Sequence, residues 1–177
     1  MIHPAMPFLD SLDLSPNARF NVESFTDAKE KQLPDRLSNR FPNLTREAVE
    51  LLLPTLEDLN QHGAAIYIAV NEFDGQRKLD NLVRVRGVHA DLDDATEAQL
   101  LSLRNMLEPS IAVQSSSSNK QHWYWLLLDG EELAQDVAKA INQGLVQLGA
   151  DKAAVDVSRL LRLPGFCHMK TYNQAQQ

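Results

Sequence analysis

The chain has 177 residues, 44% hydrophobic and 23% charged, with a formal net charge of −7, the make-up of one globular domain long enough to bury a core. No apolar run is long enough to span a membrane, and no cleavable leader is expected from the opening residues. The single cysteine, Cys167, excludes a disulfide framework and a thiolate zinc cluster, so the expected setting is the reducing cytoplasm.

In chain order, residues 1–16 contain Pro4, Pro7 and Pro16 and read as an irregular lead-in. Short helical patterns follow over 22–37. Thr45 is placed to cap a helix over 46–53 with Val49, Leu52 and Leu53 on its apolar face; Pro54 should break or restart it, and Gly63 should stop it after His62. Residues 65–70 read as a buried strand and 71–75 as a turn. A strand is expected over 82–92, then a helix over 96–107 opened by the capping-box spacing of Thr96 and Gln99 and ended by Pro109. Two strands, 110–114 and 122–128, flank a polar loop over 115–121. The longest helix is expected over 131–148 with Gly149 closing it, and a short helical piece over 157–163 precedes the Pro164-Gly165 turn. No internal repeat is visible.

The acidic strand holds the strongest chemical signal. Side chains two apart in a strand share a face, so His89, Asp91 and Asp93 face one way while Val88, Ala90 and Leu92 can be buried on the other. Neighbouring carboxylates repel, and a divalent cation is the usual reason for keeping such a pair. Asp93 and Asp94 could instead cap the next helix, a reading that fits Asp91 poorly because it sits within an apolar run. Downstream, His122 opens an aromatic strand in which Trp123 and Trp125 read as core. The preceding Ser115–Lys120 loop is small, polar and cationic enough to wrap phosphates.

Near the end, Asp156 is followed by Arg159, Arg162 and the rigid Pro164-Gly165 pair, then by His168 and Lys170. Asp156 could simply cap a short helix, and the arginines could be its solvated face. From 157 onward the chain has these cations and no acid. Arg84 and Arg86 stand just ahead of the acidic pair, so an anionic substrate is plausible beside it although the net charge argues against a protein that only coats phosphates.

In order and wording, three blocks resemble the archaeo-eukaryotic primase superfamily and, within it, the RepB-like primases of plasmids and phages. They are Val88-His89-Ala90-Asp91-Leu92-Asp93, then Lys120-Gln121-His122-Trp123-Tyr124-Trp125, then Asp156-x-x-Arg159-x-x-Arg162-Leu163-Pro164-Gly165-Phe166 with Lys170. Asn71-Glu72 also looks like this family. The resemblance runs from about residue 64 to 170. It departs at Lys120, where a small hydroxylated residue is common across the superfamily, and at His168, where a polar amide is common.

The resemblance implies an α+β fold, a mainly antiparallel RRM-like sheet flanked by helices. It implies one catalytic domain over 1–177, with a mostly helical part at 1–62 packed on a motif-bearing core at 64–170. Template-dependent nucleotidyl transfer on single-stranded DNA would follow, with Asp91, Asp93 and Asp156 holding two Mg²⁺ or Mn²⁺ ions about 4 Å apart. His122, Lys120, Arg159, Arg162 and Lys170 would bind nucleoside triphosphate or template backbone. Further expected partners are a replicative helicase and a C-terminal helical domain not found in this chain. His89 is read as a structural or supporting residue, and Tyr124 as a guess for the residue beside the nucleotide sugar. The rival readings are a non-catalytic single-strand-binding module and a metal-dependent nuclease.

Overall fold

The computed structural model describes residues 2–28, 34–115 and 120–169. The chain forms helix α1 (Ala5–Leu12), strands β1 (Phe20–Thr26) and β2 (Asn39–Leu44), helix α2 (Arg46–Gln61) and strands β3 (Ala64–Ala69), β4 (Glu72–Phe73), β5 (Leu82–Arg84) and β6 (Gly87–Leu92). Helix α3 (Glu97–Met106), strands β7 (Ile111–Gln114) and β8 (Gln121–Leu126), helix α4 (Gln135–Val146) and strand β9 (Leu160–Arg162) complete it. The strands make one four-stranded sheet in the order β2-β1-β3-β9, one three-stranded sheet in the order β6-β8-β7, and a small β4-β5 ribbon. Among the described residues every strand pair is antiparallel, so the expected α+β class with antiparallel sheets holds.

Two cores sit on either side of β8. Alternate residues of a strand face opposite ways. Tyr124 enters the first core with Phe8, Leu9, Phe20, Leu56 and Ile66, which α1, β1, α2 and β3 supply. Trp123 and Trp125 enter the second with Leu92, Leu103, Ala138 and Val157. The tryptophans are therefore core residues, as read from the sequence.

Several local expectations are corrected. Residues 5–12 are helical because Ala5, Met6, Phe8, Leu9 and Leu12 form a buried stripe, and Pro4 and Pro7 fall where helix N–H groups have no partner. The helical pattern expected over 22–37 gives way to β1, a central strand paired with both β2 and β3; the part before residue 62 is thus not mostly helical but supplies half of the larger sheet. Helix α2 runs through Pro54, an exposed residue, while Val49, Leu53 and Leu56 hold its other face in the core. The 71–75 turn contains β4. The 82–92 strand is broken at Val85 and Arg86, where the Arg86 side chain turns inward to Asp13 (2.7 Å) and Glu72 (3.3 Å). The longest helix begins at Gln135 rather than at 131 and is shorter than α2. Residues 160–162 are a strand, not a helix, because they pair with β3 in the register Tyr67↔Arg162 and Ala69↔Leu160. By contrast, the Thr96–Gln99 capping box forms in full.

In β2, one of the two edge strands of the larger sheet, Pro42 is followed by Asn43 at φ 55°. The β1–β2 register shifts between Phe20 and Val22.

Candidate active site

Pairing of β6 with β8 puts Asp91 opposite His122, and their side chains meet at 3.6 Å, Asp91 Oδ1 to His122 Nε2. Pairing of β9 with β3 carries the arginines to the same place. The result is a cleft of about 200 Å³ lined by Asp91, Asp93, Lys120, His122, Asp151, Arg159, Arg162 and Tyr67, with His168 at its side. Lys120 Nζ stands 3.7 Å from Asp93 Oδ2. A second cleft, of about 340 Å³, adjoins it across Tyr67 and Arg159 and is lined further by Phe25, Arg77, Asp156 and Ser158.

The electrostatics are uneven. Asp91 has a side chain only 14% exposed, and its Oδ1 is buried without a hydrogen-bond partner among the described residues. Burial, followed by the charges of Asp93 and Asp151, pushes its pKa up to about 6. Burial likewise pushes His122 down to about 4, only partly offset by Asp93, so the ring is neutral at pH 7 with one N–H to donate. Arg162 is bound to the buried Asp27 at 2.7 Å and its guanidinium lies 5.2 Å from the centre of the Tyr67 ring. Burial disfavours the Asp27 charge, but the Arg162 bond and charge and the Met169 N–H hold its pKa below the ordinary carboxylate value. Arg159 Nε is buried without a partner among the described residues at the seam between the clefts.

Asp91, Asp93, Lys120, His122, Arg159 and Arg162 thus come together as a set. Asp156 lies in the adjoining cleft, half-exposed and paired with Lys139 at 2.6 Å. Asp151, which the sequence reading passed over, is the acid that shares the cleft with Asp91 and Asp93, and its backbone N–H donates to Asp91 O at 2.7 Å. Among the described residues, no three His, Cys, Asp or Glu side chains are grouped closely enough to hold an ion by themselves. Lys170 and most of the serine-rich loop, 116–119, lie outside the described residues. Tyr124 is corrected: fully buried in the first core, it cannot touch a nucleotide, and Tyr67 is the tyrosine on the cleft. His89 is structural, buried, and donates from Nε2 to Ala154 O at 3.0 Å. Asp27 and Tyr67 carried no sequence signal, because only the β3–β9 pairing brings them to the arginines.

The fold is that of a primase-type domain. The chain belongs to the RepB DNA-primase N-terminal domain family, whose model matches residues 46–177. It is 28% identical over 130 residues to a replication protein of Clostridium perfringens, a match covering 66% of this chain and 32% of that one; the chain therefore spans about a third of this curated relative. Its fold is similar to that of the catalytic domain of primase RepB' solved in complex with initiator DNA (TM-score 0.67, 18% identity, 93% of this chain and 77% of that one). It is equally similar to the archaeo-eukaryotic primase domain of the cyanophage S-2L primase-polymerase (TM-score 0.67, 19% identity, 93% and 83%). A longer RepB' structure matches at TM-score 0.66 and 18% identity, over 94% of this chain and 51% of that one. Among the described residues, no helix is long and apolar enough to cross a membrane.

Proposed function

We propose that this chain is the catalytic core of a DNA primase or primase-polymerase that joins nucleoside triphosphates on a single-stranded DNA template. One observation carries the reading: the orphaned, buried Oδ1 of Asp91 beside Asp93, in a cleft otherwise walled by His122, Lys120, Arg159 and Arg162. Burial and the nearby charges of Asp93 and Asp151 raise the affinity of Asp91 for a proton, as suits a carboxylate placed to hold a cation other than a proton.

Mg²⁺ or Mn²⁺ fits this donor set. Asp91 and Asp93 would hold it, with Asp156 or Asp151 as the third carboxylate of a two-ion arrangement; such ions supply Lewis acidity for an attacking 3′-hydroxyl and a leaving pyrophosphate. The chain's own side chains do the rest. Neutral His122 donates its ring N–H to a nucleotide phosphate. Lys120 and Arg159 neutralise the phosphates, the latter through an Nε–H that has no other partner among the described residues. Arg162, fixed by Asp27 and by Tyr67, presents a guanidinium whose orientation is already set. Lys170, expected from the sequence to bind phosphate as well, lies outside the described residues. A replicative helicase and a C-terminal helical domain are the partners expected of a longer replication protein.

The test is extension of a labelled primer on a single-stranded template with Mg²⁺ or Mn²⁺, comparing wild type with Asp91→Asn, Asp151→Asn and Asp156→Asn. Metal-dependent growth should fall by at least about a hundredfold in Asp91→Asn, and whichever of the other two behaves the same way is the third acid. Primer shortening by the wild type would overturn the proposal in favour of a nuclease; strand binding without growth would leave only a binding module.

A further inference from the structure

Strand β6, which bears Asp91, is an edge strand of its sheet, yet its outer backbone groups are not left to solvent. Asn71 Oδ1 accepts the N–H groups of Arg86 (2.9 Å) and Gly87 (3.3 Å), and Asn142 Oδ1 accepts that of His89 (3.0 Å). The two amides then turn their other ends to the irregular segment that bears Asp151, Asp156 and Arg159. Asn71 Nδ2 donates to Val157 O (2.9 Å) and Asn142 Nδ2 to Val155 O (3.2 Å). His89 adds a bond to Ala154 O, and Arg77 one to Ser158 O at 2.7 Å. Four carbonyls of one segment are therefore held by side chains from four separate places in the chain. Asn71 and His89 are each 1% exposed and Asn142 2%.

Buried backbone polar groups need partners, but a sheet strand would have met that need equally well. A strand laid against β6 would have kept the segment extended and drawn Asp151 and Arg159 along the sheet edge. Asparagine side chains instead bond both backbones while the segment brings Asp151, Asp156 and Arg159 to the two clefts.

We propose that Asn71 and Asn142 are positioning residues for nucleotidyl transfer: two buried amide staples that, beside the direct bond from the Asp151 N–H to Asp91 O, set the distance between the acid strand and the segment carrying Asp156 and Arg159. Neither touches the cleft itself. The inference rests on the primase reading above, and the experiment separates the two.

Asn71→Asp and Asn142→Asp keep the oxygen that faces β6 and remove the N–H that faces the segment. Both, together with Asn142→Leu, are assayed by primer extension on protein verified as folded by circular dichroism, and by hydrogen exchange of residues 151–159. Asn21→Ala, which removes a buried amide bond to Gly75 O (2.7 Å) and none to residues 151–159, is the control for lost stability alone. The staples predict exchange in 151–159 at least about tenfold faster, kcat reduced about tenfold or more and KM for nucleotide changed less than about threefold, since small misplacements act on the chemical step; the control keeps its kcat. Faster exchange with unchanged kcat, or an equal loss in Asn21→Ala, would reduce the asparagines to ordinary structural residues. A wild type that extends no primer would overturn the primase reading and the staples with it, whereas an active wild type with unaffected variants overturns the staples alone.

Discussion

Asp91 shows what the site costs the fold. Its carboxyl titrates at about 6 in the folded chain against an ordinary 3.8. Between those values the folded chain holds more protons than the unfolded one, so stability falls as pH rises through the window; the penalty is complete above about 6 and absent below about 3.8. Asp91→Asn should therefore stabilise the metal-free protein by about 3 kcal/mol near neutral pH, and the advantage should shrink toward zero at about pH 4. Urea unfolding at several pH values checks this, and an advantage independent of pH would show that something other than the charge is removed. The same substitution is expected to abolish extension, so gain of stability and loss of activity should travel together.

At the scale of elements, β9 decides whether there is a site. Its three residues are fastened by Leu161, which is 2% exposed, and by the Arg162–Asp27 pair. Removing Asp27 leaves a guanidinium with little access to water, so Asp27→Ala should cost about 3 to 5 kcal/mol and weaken nucleotide binding, readable by denaturant unfolding and by KM. Because the Asp27 pKa is depressed, the stabilisation is present above the ordinary carboxylate range and fades as pH falls through the lower folded value. This strand was also the least legible part of the chain. Arg159-Leu160-Leu161-Arg162 repeats its charges at a spacing of three, which imitates a helical face, and only pairing with β3, some ninety positions earlier, makes it extended. Strands β6 and β8 were legible because their alternation is local, and α3 because its cap is written into two residues. Asp91, Asp93 and His122 could be read for the same reason; Asp151 could not, since a lone acid in an irregular segment says nothing until the segment is placed.

Across the molecule, β8 belongs to both cores, giving Tyr124 to one and both tryptophans to the other. The Arg86 pairs to Asp13 and Glu72 tie the N-terminal helix region to the start of the acid strand. The two halves should consequently unfold as one. Phe20→Ala, in the first core, should cost about 3 to 5 kcal/mol and lower the midpoint seen by tryptophan fluorescence, whose reporters lie in the second core, as much as that seen by circular dichroism. Separate midpoints would show that the halves are independent units.

The larger sheet is open at both ends, with the three-residue β9 at one and the six-residue β2 at the other. An exposed ladder of that kind is a template on which identical chains can stack. Here Pro42 has no N–H to offer, and Asn43, in the left-handed region, turns the backbone out of line; its side chain is occupied by Asp74 and by the Gly75 N–H. The irregularity that weakens β2 as a strand thus serves as a guard against self-association, a built-in stop to fibre-like growth on the longer of the sheet's two edge strands.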